Sequence, residues 1–321
     1  MRLLRPAFLL LAAAAASAAA GGSQATTFRQ NGAAGPPPIR RLVPVDAGTL
    51  DLPVQDAAAA AFGEGAVLLG GLTAADTSRD DIVTLSRAGS RRVGHLPGVV
   101  HDAAAVTIGR LSYLFGGGSF SQIDTIVRVD PHTGAAEEIG HLPSRSSDQA
   151  GAAIDGTAYI VGGYTGSRWL DTIVAWKPGG SAHVVAHLPS AVRYAAVTAV
   201  GGRLVIAGGS LPSGSATDAV YEYAPATGRV SRIGRLPAPT THAAAATFGS
   251  IAYVVGGRSA IIGTPTDRIV GIDVARRKVV VAGALRQPLS DLAAVGTAHG
   301  ILVAGGRSAT GTVASIVELL P

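Results

Sequence analysis

Asp56, Asp102, Asp148, Tyr194, His242 and Asp291 each stand fourteen residues before a Gly-Gly pair, in segments otherwise rich in alanine. Four carboxylates, a phenol and an imidazole at one repeat position can bind a cation, hydrogen-bond sugar hydroxyls or move a proton. They can do so only if the fold makes them converge. The position before each adds Gln55, His101, Ser147, Arg193, Thr241 and Ser290, and the segments after the glycine pairs add Phe120, Tyr164, Arg168, Trp169, Arg258 and Arg307. Arginines can hold an anionic group, and Tyr164 with Trp169 can stack on a sugar or grip a peptide.

Convergence depends on the repeat. The pairs Gly70-Gly71, Gly116-Gly117, Gly162-Gly163, Gly208-Gly209, Gly256-Gly257 and Gly305-Gly306 are 46, 46, 46, 48 and 49 residues apart. Within the third copy, Ala150 to Ile154 reads as a strand, Asp155-Gly156 as a turn, and Ala158 to Val161 as a second strand ending on the glycines. Asp171 to Trp176 and His183 to Ala186 supply two more. Four antiparallel strands per unit of this length is a propeller blade. The spacing therefore predicts an all-β, six-bladed propeller over residues 41–321. After the last glycine pair only Ala314 to Leu319 remains as a strand, so residues about 41 to 50 are expected to close the last blade. First-strand starts face the axis in this architecture and outer strands diverge. His95, His141 and His187, and Asp81, Asp124, Asp171, Asp218 and Asp267, are thus expected to be structural repeat residues.

The glycine pairs, the aromatics Tyr113, Tyr159 and Tyr253 before them, the Leu-Pro pairs such as Leu142-Pro143, and the turn Asp130-Pro131-His132-Thr133-Gly134 together resemble the kelch repeat. A fourth-strand tryptophan usual in that family is absent. The resemblance implies the propeller fold and leaves function open, because kelch propellers include binding modules, a copper oxidase and a sugar epimerase. The galactose-oxidase type of copper chemistry needs a cysteine joined to a tyrosine, and this chain has no cysteine. Six-bladed periplasmic kelch mutarotases acting on sialic acid are similar in blade number and export. In animal kelch domains that bind acidic peptides the axial position often carries arginine. Here it is mainly aspartate, so the expected preference shifts to a cation, with calcium on Asp56, Asp102, Asp148 and Asp291 as its concrete form, or to sugar hydroxyls.

The remaining features bound the setting. Met1 to Arg5, an apolar run from Pro6 to Ala16 and Ala18-Ala19-Ala20 read as a signal peptide over residues 1–20, and residues 21–40 as a flexible linker. The apolar run is too short to span a membrane, and export to the envelope or exterior is expected. Net charge is +5, but with two lysines and scattered arginines no basic stripe forms, which argues against nucleic acid. No feature marks an oligomer interface, so a monomer is expected. The function expected is a binding module taking a glycan, a peptide or a protein surface at its central mouth. The rivals are a sugar epimerase or mutarotase using His242, His101 or an aspartate as acid or base, with Arg193, Arg258 or Arg307 holding an anion, and a purely structural scaffold.

Overall fold

The computed structural model describes residues 38–86, 89–259 and 264–321, which form six four-stranded antiparallel sheets. The expected signal peptide and most of the expected linker lie outside these residues. In the third blade the strands are Ala150–Ile154, Thr157–Val161, Thr172–Trp176 and His183–His187, within one residue of those read from the repeat. The last blade consists of Ala293–Gly296, Ile301–Ala304 and Ser315–Leu320, and is completed by Val43–Thr49. This closing strand runs antiparallel to the chain's last strand, with Val43 opposite Leu320 and Thr49 opposite Ser315. The ring is therefore shut by strand pairing between its two ends. Closure extends upstream of the strand: Ile39 packs on the core beside Gly271, and the Arg40 carbonyl accepts a hydrogen bond from Tyr253 at 3.2 Å. The end of the expected linker is thus part of the folded body.

Each glycine pair sits where two blades approach most closely. Gly162 and Gly163 have φ of +65° and +114°. A Cβ on Gly162 would strike the Val192 carbonyl of the next blade, and one on Gly163 would lie 2.8 Å from the Ser147 carbonyl oxygen. Only glycine fits both the conformation and the space. The Gly163 N–H donates to that same Val192 carbonyl at 2.8 Å, which ties neighbouring blades through backbone.

Farther from the axis the blades diverge and larger residues fill the gap. Trp176 packs against Tyr113 and Phe115 with ring centroids 5.0 and 5.5 Å apart, and Tyr159 meets Tyr223 at 5.7 Å. Between the last and first blades the corresponding cluster is aliphatic, with alanines at 66, 293 and 304. This taper from alanine to aromatic side chains is what a ring of radial sheets requires.

Candidate functional site at the propeller mouth

The six residues at the starts of the first strands converge. The amide of each donates to the carbonyl of its counterpart one blade back: Asp102 to Asp56 at 3.1 Å, Asp148 to Asp102 at 2.9 Å, Tyr194 to Asp148 at 2.8 Å. His242 to Tyr194 at 3.2 Å, Asp291 to His242 at 3.0 Å and Asp56 to Asp291 at 2.9 Å complete a closed circle of six backbone hydrogen bonds. All six residues are left-handed, with φ between 53° and 62°. Aspartate and histidine tolerate that region and tyrosine does so less readily, so the circle holds conformations that isolated residues disfavour. The side chains line an axial cavity of about 120 Å³.

A second layer surrounds the first. In every blade the residue before the circle pairs by a backbone bridge with the residue just past the glycine pair: Gln55 with Leu72, His101 with Gly118, Ser147 with Tyr164, Arg193 with Ser210, Thr241 with Arg258 and Ser290 with Arg307. Tyr164, Arg258 and Arg307 of the second set singled out in the sequence thus pair with the first set in one antiparallel rim, Trp169 joins through Tyr164, and Phe120 and Arg168 lie beyond it.

Arginines from this rim reach into the circle and change its charge. Arg193 Nε lies 2.7 Å from Asp148 Oδ2, and its Nη2 donates to the Tyr194 hydroxyl at 3.0 Å. Arg258 Nη2 donates to Asp291 at 2.6 Å, and Ser290 donates to the same oxygen at 2.5 Å. Arg307 approaches Asp76 at 3.5 Å and donates to Gln55 at 3.3 Å. These pairs engage two of the four aspartates on which the sequence placed a calcium ion. Asp148 and Asp291 are engaged by guanidinium groups, whereas Asp56 and Asp102 form no ion pair with arginine among the described residues. Arg258 and Arg307 likewise meet partners within the chain.

The remaining carboxyls respond to burial. Desolvation pushes Asp56 well above the ordinary carboxylate range, and the charges of Asp102 and Asp291 add to the rise. Asp102 is raised by the same cause, with Asp148 and Asp291 contributing, while a hydrogen bond from Asp56 favours its charged form. Asp148 is raised by burial against the pull of Arg193. Burial lowers His242 to about 4, and lowers His101 as well, so both imidazoles are neutral at pH 7. His242 stacks on Tyr194 with centroids 3.7 Å apart.

The circle opens on one side into a cleft of about 310 Å³ between the second, third and fourth blades. Asp102, Asp148 and Tyr194 border both spaces, and His101, Arg193, Tyr164 and Phe120 line the cleft. Phe120 is fully exposed at its edge. Arg193 lies over the rings of Tyr164, Trp169 and Tyr194 at 4.8, 5.1 and 4.6 Å. Trp169 therefore braces Arg193, and Arg168 is an exposed turn residue whose amide binds Thr165.

Other residues belong to this site without having been marked in the sequence. Ser78 bonds His101 Nδ1 at 2.8 Å, Gln122 lines the cleft, and Gln149 donates to the Phe115 carbonyl at 2.9 Å beside the axial cavity. Gln149 had a readable signal, since it breaks a position occupied by Ala57, Ala103, Ala195, Ala243 and Leu292 in the other copies. Ser78 had none.

The recurrent histidines are local. His95, His141 and His187 meet Asp80, Asp124 and Asp171 of their own blades at 3.1, 3.5 and 3.1 Å. Asp80, not Asp81, is the repeat aspartate of the first blade: it lies two residues before Ile82, as Asp124 lies before Ile126.

Sequence comparison finds no matching family model and no matching curated protein. A solved structure described as "Structure of YjhT" matches with a TM-score of 0.72 at 16% identity, covering 85% of this chain and 99% of that one. At that identity the likeness is one of fold. Fold and geometry together define a six-bladed β-propeller with a polar axial cavity and an off-axis cleft.

Proposed function

We propose that this protein is an exported, kelch-type binding propeller that takes one or two sugar units of a glycan in the cleft beside its axis. The observation that carries the reading is Phe120, a fully exposed aromatic ring at the edge of a cleft otherwise lined by polar side chains. Sugar recognition needs an apolar face for the ring's C–H surface and in-plane acceptors and donors for its hydroxyls. Asp102, Asp148 and Arg193 supply the polar groups. The cleft, at about 310 Å³, lies at the small end of ligand sites. A glycan array probed with wild type and Phe120→Ala tests this directly: defined glycan hits lost in the variant support it, and an array without hits rejects it.

A second reading rests on a separate observation. Burial raises Asp56 well above the ordinary carboxylate value and lowers His242 and His101, so an acid that holds its proton more tightly and neutral imidazoles border one mouth. Opening and reclosing a sugar ring needs such a pair, one group protonating the ring oxygen and the other accepting the proton of the anomeric hydroxyl. Faster anomer exchange in the sugar's NMR spectrum, abolished in His242→Phe or Asp56→Asn, would establish mutarotation. Unchanged exchange with retained binding leaves the binding module.

A further inference from the structure

A space of about 420 Å³ lies between residues 50–54, which follow the closing strand, and the first blade, away from the axial circle, and it carries a charge arrangement peculiar to that blade. Ile82, Ile126, Ile173, Val220, Ile269 and Ile316 occupy equivalent places, each opposite the end of its second strand. Three residues and one residue before them stand Ile123 and Thr125, Leu170 and Thr172, Thr217 and Ala219, Thr266 and Arg268, Val313 and Ser315. In the first blade the pair is Arg79 and Asp81.

Asp81 is nine-tenths buried and accepts from Arg79 Nε at 2.6 Å and from Arg92 at 3.1 Å. These arginines hold its carboxyl below the usual range against the effect of burial, so the group is charged at neutral pH. Two guanidinium groups share one carboxylate. With Arg91 and Asp51 also at the wall, the lining carries three positive charges against two negative ones. A positive excess in a partly desolvated space is stabilised by an incoming anion.

The opposite wall is aliphatic: Leu50, Val54, Leu68 and Val83. Leu52 stands at the rim more than half exposed. This interface lacks the aromatic pairs that fill the gaps on either side of the third blade.

We propose that this seam is a second binding site, distinct from the mouth, for a small carboxylic acid with an apolar chain. The carboxylate sits against Arg79 and Arg92 and the chain lies along Leu68 and Val83. The volume suits a molecule of this size and leaves no room for a folded partner.

Calorimetric titration of the full chain with octanoate, acetate and octylammonium tests the assignment. Octanoate is expected to bind at least tenfold more tightly than acetate, and octylammonium not at all. Arg92→Gln should weaken octanoate at least fivefold, and Val83→Phe, which fills the space, should abolish it. Both variants must retain the wild-type circular dichroism spectrum to count, and Leu52→Ala, a rim truncation outside the core, provides an independent variant expected to weaken octanoate by two- to fivefold. Absence of octanoate binding to the wild type overturns the proposal, as does binding that survives all three substitutions. A pentapeptide ending in leucine with a free carboxylate is the final arm. Binding tighter than octanoate, lost on amidation, would overturn the small-molecule assignment in favour of a chain terminus.

Discussion

Arg193 Nε and Asp148 Oδ2 lie 2.7 Å apart at the boundary between the axial cavity and the cleft, and the rest of the mouth is arranged around that pair. The Asp148 side chain is 4% exposed and that of Arg193 24%, so neither is a solvent-screened surface charge. Three aromatic rings flank the guanidinium, and Tyr194 receives its hydrogen bond. Removing one partner leaves the other buried without compensation.

The Arg193→Ala variant is therefore expected to lose about 3 kcal/mol of unfolding free energy. Asp148→Asn in the same background should restore part of that loss, because it removes the stranded charge. A double-mutant cycle from urea unfolding measures the coupling, and additive single effects would contradict the pair's role.

Asp56 makes a prediction about pH. Its carboxyl is raised in the folded state above the ordinary value of 3.8, so folded protein binds a proton that unfolded chain releases. That contribution to stability is complete below pH 3.8 and is lost as pH rises through the folded-state value. Asp56→Asn keeps the side-chain shape without the ionisation. The variant should melt higher than wild type at pH 7, with the difference shrinking as pH approaches 4. A constant difference across this range would show that Asp56 does not titrate as described.

His242 acts with the opposite sign. It falls from 6.5 to about 4 on folding, so the unfolded chain binds the proton more readily, and stability is lost as pH falls from 6.5 towards 4. The full effect is roughly 3 kcal/mol, from 1.36 kcal/mol per unit. His242→Phe preserves a ring against Tyr194 and should remove this acid sensitivity while leaving melting near pH 8 within a few degrees of wild type.

The closing strand Val43–Thr49 gives a prediction about architecture. A chain beginning at Leu50 leaves the edge of Ser315–Leu320 unpaired and removes Leu42 from the core. It should melt well below wild type and associate through the open edge, as size-exclusion chromatography coupled to light scattering would show. A monomeric truncation with unchanged melting would contradict closure by this strand.

Most of the frame was legible because a propeller repeats its constraints six times. Gly162-Gly163 recurs because the same backbone approach recurs, and the residues fourteen positions earlier must then share one place in space. Charge compensation was not legible. Arg193 and Arg258 sit at non-equivalent repeat positions, yet each reaches an aspartate of the circle, and nothing in their spacing says that Asp148 and Asp291 are paired while Asp56 and Asp102 are not. Ser78 approaches His101 across a blade boundary, and no periodicity records such a contact. The Asp80 and Asp81 ambiguity arose from two adjacent aspartates, which only the strand register separates.

The cleft bounded by Phe120 and Arg193 is the proposed sugar site. Isothermal titration of wild type and Phe120→Ala with the strongest mono- or disaccharide from the array tests it most directly. Phe120 is fully exposed, so its loss should leave unfolding free energy within about 0.5 kcal/mol of wild type. Affinity should fall at least tenfold, equivalent to about 1.4 kcal/mol, in the variant. Equal affinity in both proteins would contradict it.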